Sequence, residues 1–277
     1  MEAYNKGALP CTYWNLDMRG VERIEGGIVE EARLTIYVNA QEVATLMCSP
    51  IEQEALALGF LFNEGVIASL DEVRLLRPNV ARTSIDIFLN RERFDPPRRM
   101  VLTSGCGGGV TFQDLQATHP PLETAFTSTP ETVFALMQAL KGASTLYNQV
   151  RGVHTSVLGT TEAMLISAED IGRHNTIDKL AGKALLEGIP TRDTILLTSG
   201  RISSEMLIKA RQMAVPLVAS RTSPTGLTVQ LAETWNICVV GYVRRDSLRV
   251  YTHPYRLGLV EQTAQESGSL PQQQPTL

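Results

Sequence analysis

The run Ile195-Leu196-Leu197-Thr198-Ser199-Gly200-Arg201 sets a pattern that the chain repeats twice more. A short apolar run ends in a polar loop, and a helix-length segment follows. Val215-Pro216-Leu217-Val218-Ala219 leads into Ser220-Arg221-Thr222-Ser223-Pro224, and Cys238-Val239-Val240-Gly241-Tyr242-Val243 leads into Arg244-Arg245-Asp246. Buried strands alternating with helices imply an α/β fold, with some parallel strands in a sheet covered by helices. Upstream, Thr129-Pro130 opens a helix expected to run to about Leu146. His154–Leu158 and Ala163–Ser167 read as a hairpin. Residues 128–258 are thus expected to form a C-terminal α/β domain.

A smaller α+β subdomain is expected over residues 28–117. Leu34, Ile36 and Val38 alternate with polar residues, Asn39-Ala40-Gln41 turns the chain, and Val43–Met47 returns, which predicts a hairpin. Ser49-Pro50-Ile51-Glu52 reads as a helix start with a capping serine and a proline at the first helical position. That helix carries Leu56, Phe60 and Leu61 and stops near Gly65. Strand-like pieces follow at 72–77, 84–89 and 99–103. The Pro- and Thr-rich stretch 118–129 marks the expected junction. Residues 1–27 and 260–277 are polar or rich in Gly and Gln, and are expected to be loose.

The 277 residues are 43% hydrophobic and 19% charged, with a net charge of −4. This balance argues against nucleic-acid or membrane-surface binding, which needs a basic footprint. No basic stretch followed by an apolar segment opens the chain, and no window is long and apolar enough to span a membrane, so a cytoplasmic protein is expected. The four cysteines, Cys11, Cys48, Cys106 and Cys238, are scattered, and none forms a CxxC pair. Zinc-ribbon and thioredoxin readings fall with that, and no metal ligands are assigned. Cys48 and Cys238 sit in strand-like runs as small hydrophobes, while Cys11 falls in the N-terminal segment.

Three features carry chemistry. First, Cys106 lies in Thr103-Ser104-Gly105-Cys106-Gly107-Gly108-Gly109. Glycine on both sides allows unusual backbone angles and close approach, which suits a thiol that must move and be reached. A flexible loop with an incidental cysteine would read the same way. Second, Ser199-Gly200-Arg201, Ser220–Ser223 and Arg244-Arg245 follow strand ends, where open α/β sheets bind ligands. Backbone amides, hydroxyls and guanidinium groups there suit phosphate, plausibly on a nucleotide; the bland alternative is solvated loops. Third, Glu169–Lys179 is dense in polar groups. With a helix starting at Asn175, Asn175 and Lys179 share a face, as do His174 and Asp178, a pairing that would orient an imidazole, with Arg173 beside it for an anion. A capped helix start with solvated charges is the alternative. His154 is a further pocket candidate, whereas His119 and His253, each followed by proline, read as structural.

These residues resemble those of the formate dehydrogenase accessory FdhD family, sulfur carriers acting on the molybdenum cofactor. The resemblance spans roughly residues 30–257. It rests on Gly59-Phe60-Leu61 through Glu64-Gly65, Cys106-Gly107, Gly152-Val153-His154, Asp170–Asn175 with Asp178-Lys179, and Ser199–Ser203 with Glu205 and Lys209. One departure matters. Many members have Cys-Gly-x-Cys in the loop, whereas this chain has Gly109 at the second position, which rules out a two-cysteine relay there.

The resemblance implies a cytidine-deaminase-like mixed sheet and a homodimer. It also implies that Cys106 takes sulfur as a persulfide from a cysteine desulfurase. The sulfur would pass to a bis(molybdopterin guanine dinucleotide) cofactor, molybdenum or tungsten, bound as cargo before insertion into formate dehydrogenase. No resident cofactor is expected. Tyr242, Val243, Arg244, Arg245, Asp246 and Ser247 are the expected wall of the guanine nucleotide site, with Arg201 and Arg173 as lesser candidates. The roles of His154, His174, Asp178 and Lys179 stay open. Three alternatives stand beside this reading: a zinc nucleoside deaminase, disfavoured by the missing CxxC, a cysteine hydrolase using Cys106 with His154 or His174, and a non-catalytic chaperone that binds the cofactor.

Overall fold

The computed structural model describes residues 6–95, 101–102, 110–111 and 119–259. The chain opens with β1 (Ala8–Asp17) and β2 (Gly20–Val29), a two-stranded antiparallel hairpin. This corrects the expectation of a loose segment up to residue 27. Alternation is hard to see there because Trp14, Leu16, Met18 and Val21 stay exposed instead of marking one buried face. Only the base of the hairpin is anchored, where Ala8 packs with Leu146 and Val153.

β3 (Ala32–Val38) and β4 (Gln41–Cys48) form the expected hairpin, turned by Asn39 and Ala40, both at positive φ. That conformation matches the right-handed twist of paired strands. Helix α1 (Gln53–Asn63) follows, then β5 (Val73–Pro78) and β6 (Ser84–Leu89). The four strands make a sheet in the order β4-β3-β6-β5, with β3 and β6 parallel. The helix starts three residues later than its sequence suggests. Ser49 is no cap: its backbone N–H donates to Asp170 Oδ2 and its hydroxyl accepts from the Ile171 N–H. Tertiary partners have claimed the groups that would have capped the helix.

β7 (Val101–Leu102) and β8 (Val110–Thr111) pair antiparallel. Cys106, on the segment that joins them, lies outside the described residues. Helix α2 (Pro130–Ala143) is capped by Thr129, whose hydroxyl accepts from the Thr132 N–H. It ends before Leu146, where the Ser144 hydroxyl lies 2.8 Å from the Leu140 carbonyl and 2.9 Å from Thr155 Oγ1, and the run divides into α2 and α3 (Thr145–Val150).

The second sheet is built from β9 (His154–Gly159), β10 (Met164–Asp170), β11 (Ile195–Thr198), β12 (Leu217–Ser220), β13 (Cys238–Gly241) and β14 (Arg249–Val250), in the order β10-β9-β11-β12-β13-β14. β11, β12 and β13 run parallel and the rest antiparallel. Helices α4 (Arg173–Glu187), α5 (Ser204–Gln212) and α6 (Gly226–Trp235) cover one face, burying Leu158, Leu196, Val218 and Val239. Helix α2 covers the other, against Val157, Ile195, Leu197 and Leu217. The alternation within each strand decides which side chain meets which layer. The result is a mixed α/β protein. Among the described residues, no helix is long and apolar enough to cross a membrane.

Helix α1 joins the two halves. It is apolar around most of its circumference, as a helix buried on both sides should be. One side closes the four-stranded sheet and the other crosses α4. At the crossing both helices carry glycine, and the backbones touch. A Cβ on Gly59 would lie 1.7 Å from the Asp178 carbonyl oxygen, and one on Gly182 would lie 1.8 Å from that of Ala55. Neither site can take a methyl group without parting the helices. Gly59→Ala and Gly182→Ala are each expected to cost about 3 kcal/mol or more, read as a fall in the urea midpoint. Gly142→Ala, at an exposed position of α2 where an added Cβ meets nothing within 4 Å, is expected to stabilise by roughly 0.5–1 kcal/mol.

Candidate functional site

Sheet order decides which loops become neighbours. β10 ends and β9 begins at the edge where β11, β12 and β13 end, since Asp170 pairs with His154 and Thr198 with Ser156. His154, Arg173, Ser199–Arg201, Ser220–Ser223 and Tyr242–Ser247 therefore line one edge of one sheet. Hydroxyls tie that edge together. The Ser199 hydroxyl accepts from the Thr155 N–H at 3.0 Å and lies 3.3 Å from His154 Nδ1. The Ser220 hydroxyl donates to the Gly200 carbonyl and accepts from the Thr222 N–H.

The Tyr242–Ser247 segment leaves β13 abruptly. Tyr242 adopts positive φ, and its N–H donates to the Thr222 carbonyl; the Val243 N–H donates to that of Ser220. Val243 is buried, while Arg244, Arg245, Asp246 and Ser247 are exposed. Arg249 lies over the Tyr242 ring at 4.2 Å from its centroid and Arg244 at 5.9 Å, so two cations adjoin one aromatic ring. Arg201 is exposed on the neighbouring loop.

Helix α4 begins at Arg173, two residues earlier than expected. Asp170 explains the shift. Its buried carboxylate accepts from the N–H groups of Ser49 and Gly172, from Asn175 Nδ2 and from Lys179 Nζ, the last at 2.7 Å. Asn175 is committed to Asp170 and to the Met47 carbonyl, so it does not cap the helix. Asn175 and Lys179 do share a face, as expected, and both converge on Asp170.

The expected His174–Asp178 pair is not formed. Asp178 is held by Lys209 at 2.7 and 2.9 Å and by Asn63 Nδ2 at 2.7 Å, and Lys209 also reaches Glu64 at 3.3 Å. Burial alone would lower the Lys209 pKa, but the Asp178 and Glu64 carboxylates outweigh it and hold the ammonium charged. Asp178 and Lys179 thus sit inside buried ion pairs that fasten α4 to α1, to the Ser49 turn and to α5. In the sequence, Glu64, Glu205 and Lys209 stand out only as parts of the family motifs, although charge placed inside apolar helical patterns marks them.

His174 instead puts Nε2 within 3.1 Å of both Ser203 Oγ and Glu205 Oε2. Glu205 sits below the usual carboxylate range, first because of its hydrogen bond with His174 and then that with Ser203. A relay needs the imidazole between the hydroxyl and the carboxylate. Here both crowd one nitrogen, so these three groups do not make a hydrolase triad. His154 is held below the usual histidine range, mainly by burial and then by the charges of Arg173 and His174, with Asp170 opposing.

Burial raises the thiols of Cys48 and Cys238 to about 12, which leaves both un-ionised at neutral pH. Cys11 is partly buried on β1. His119 meets the Trp235 ring edge-on, and His253 Nε2 lies 3.2 and 3.1 Å from the Ala232 and Glu233 carbonyls near the end of α6, both consistent with structural roles.

The FdhD/NarQ family model matches residues 29–258. The chain belongs to the FdhD/NarQ family. Among its relatives, the sulfur carrier protein FdhD of Bacillus subtilis (strain 168) is 37% identical over 251 residues, covering 88% of this chain and 95% of that protein. The protein of the same name from Halalkalibacterium halodurans is 39% identical over 246 residues, covering 84% and 89%. The crystal structure of a proposed formate dehydrogenase accessory protein from Desulfotalea psychrophila superposes with a TM-score of 0.77 at 24% identity, over 91% of this chain and 99% of that one. That likeness establishes the fold.

Two measurements probe the site's supports. Lys209→Met removes the buried cation that Asp178 and Glu64 share, and is expected to cost about 3–5 kcal/mol by urea denaturation. His154 binds a proton more readily in the unfolded chain, whose ordinary value is 6.5. Stability should therefore fall as pH drops from 6.5 through the lower folded-state value, and not change on this account at higher pH. His154→Gln should flatten that part of the urea-midpoint profile; an unchanged slope refutes the assignment.

Proposed function

We propose that this chain is a sulfur carrier serving formate dehydrogenase maturation. The carrying observation is the family match over residues 29–258, a span that contains Cys106, together with relatives named sulfur carrier protein FdhD along most of their length. Thiol chemistry favours the same residue, because Cys48 and Cys238 are buried and un-ionised.

In this reading the Cys106 thiolate attacks the sulfane sulfur of a desulfurase persulfide. One S–S bond forms as another breaks, and the desulfurase leaves as its own thiolate. The Cys106 persulfide then gives its outer sulfur to the molybdenum or tungsten of a bis(molybdopterin guanine dinucleotide) cofactor, held as substrate. Release of that sulfur as sulfide needs two electrons, which the reduced metal or an added thiol supplies. With glycine at position 109, no second loop cysteine can resolve the persulfide.

The unit at 28–117 would carry sulfur, and the unit at 128–258 would hold the guanine nucleotide along the strand-end edge. Tyr242–Ser247 forms one wall, with Arg201 on the next loop. An aromatic ring with Arg244 and Arg249 beside it suits a base with phosphates nearby. A cytidine-deaminase-like arrangement is in keeping with the mixed six-stranded sheet and its helices on both faces. Cytoplasmic residence, a homodimer, and association with a cysteine desulfurase and formate dehydrogenase belong to the same proposal.

Incubation with a cysteine desulfurase and cysteine should add about 32 Da, one sulfur atom, at Cys106. Cys106→Ser should take no adduct and should abolish formate dehydrogenase maturation in cells lacking the native protein. Maturation that survives Cys106→Ser sinks the carrier reading and favours a chaperone that binds the cofactor without sulfur chemistry.

A further inference from the structure

Among the described residues, the Arg173 guanidinium has no hydrogen-bond or ion-pair partner. The residue is 6% exposed and its Nε is fully buried. A buried cation is ordinarily paired, because leaving its donors unmet costs free energy. The nearby carboxylates are already engaged: Asp170 with Lys179, and Glu205 with His174 and Ser203.

The direction of this side chain is fixed by what it touches. A Cβ added to Gly200 would meet Arg173 Cβ at 3.0 Å, His154 Nδ1 at 3.2 Å and Arg173 Cδ at 3.3 Å. The arginine stem and the His154 ring therefore crowd together over the loop that follows β11. Arg173 also opens α4, a 15-residue helix whose first turn presents the positive end of its dipole. The guanidinium and the positive helix end meet there beside a neutral imidazole, and the two carboxylates nearest among the described residues, Asp170 and Glu205, are each held by other partners.

Position along the edge says what kind of anion fits. β11, β12 and β13 are adjacent, so Gly200 and Tyr242 follow strands two spacings apart, about 10 Å. That is of the order of the reach of a nucleoside diphosphate from base to terminal phosphate. We infer that Arg173, with His154 beside it and the first turn of α4 behind, binds the phosphoryl end of a nucleotide whose base lies against the Tyr242–Ser247 loop. The inference rests on the guanine nucleotide reading for the base, and on Arg173 alone for the phosphate.

Calorimetry on the full chain with GDP, guanosine and inorganic pyrophosphate separates the two. Arg173→Gln should weaken GDP binding by roughly 10- to 100-fold and leave guanosine unchanged, as expected for loss of a charge-assisted contact. Arg173→Lys should recover part of the loss. Without ligand, Arg173→Gln should melt no lower than the parent chain, since it removes an unpaired buried charge. GDP binding that is untouched by Arg173→Gln overturns the inference and leaves the guanine reading standing. Pyrophosphate binding that needs Arg173, in a chain that ignores GDP and guanosine, keeps the phosphoryl site and removes the guanine reading. Failure of the parent chain to bind either phosphate compound overturns the inference, as does equal weakening of GDP and guanosine or a melting point several degrees lower.

Discussion

The contact between α1 and α4 is the constraint on which the other features depend. Two glycines let the helix backbones meet, and that closeness fixes how the four-stranded sheet stands against the six-stranded one. Side chains at either position would hold the helices apart. The ion pairs that flank the crossing could not then close: Asp178 would lose Asn63, and Lys209 would lose Glu64. Asp170 acts on the neighbouring turn, gathering Ser49 from one half and Lys179 from the other.

Such buried charges are weak sources of net stability, because desolvation offsets most of their attraction. Their effect is positional. A carboxylate with four donors accepts one arrangement of the groups around it, and at Asp170 that arrangement sets where α4 begins. The start of α4 in turn puts Arg173 at the sheet edge, one residue past the Gly172 N–H that Asp170 anchors. Structural charges therefore stand behind an edge whose buried cation, Arg173, has no partner among the described residues. His174 belongs to the supporting set as well, with its Nε2 spent on Ser203 and Glu205.

Much of this was readable in the chain. The repeated strand–loop–helix pattern of residues 195–246 carries its own period, and the β3–β4 hairpin its own turn residues, so local rules sufficed for both. The β1–β2 hairpin leaves no such signature, because Trp14, Leu16 and Val21 stay exposed. The start of α1 was misplaced because Ser49-Pro50 satisfies the local capping rule while the serine's hydrogen bonds go to residues far along the chain. Helix spacing put His174 near Asp178, yet spacing along one helix says nothing of partners on α5. Lys209 and Glu205 outcompeted the local pair.

The sequence by itself determined the α/β pattern, the absence of a second loop cysteine, and the polar loops at strand ends, since each depends on residues close together in the chain. Only the tertiary structure decided which of those loops share an edge and which charged groups serve as fastenings. It also decided that the Arg173 guanidinium finds no partner among the described residues. Those outcomes depend on strand order and helix crossing, which bring together groups separated by more than a hundred residues, such as Ser49 and Asp170.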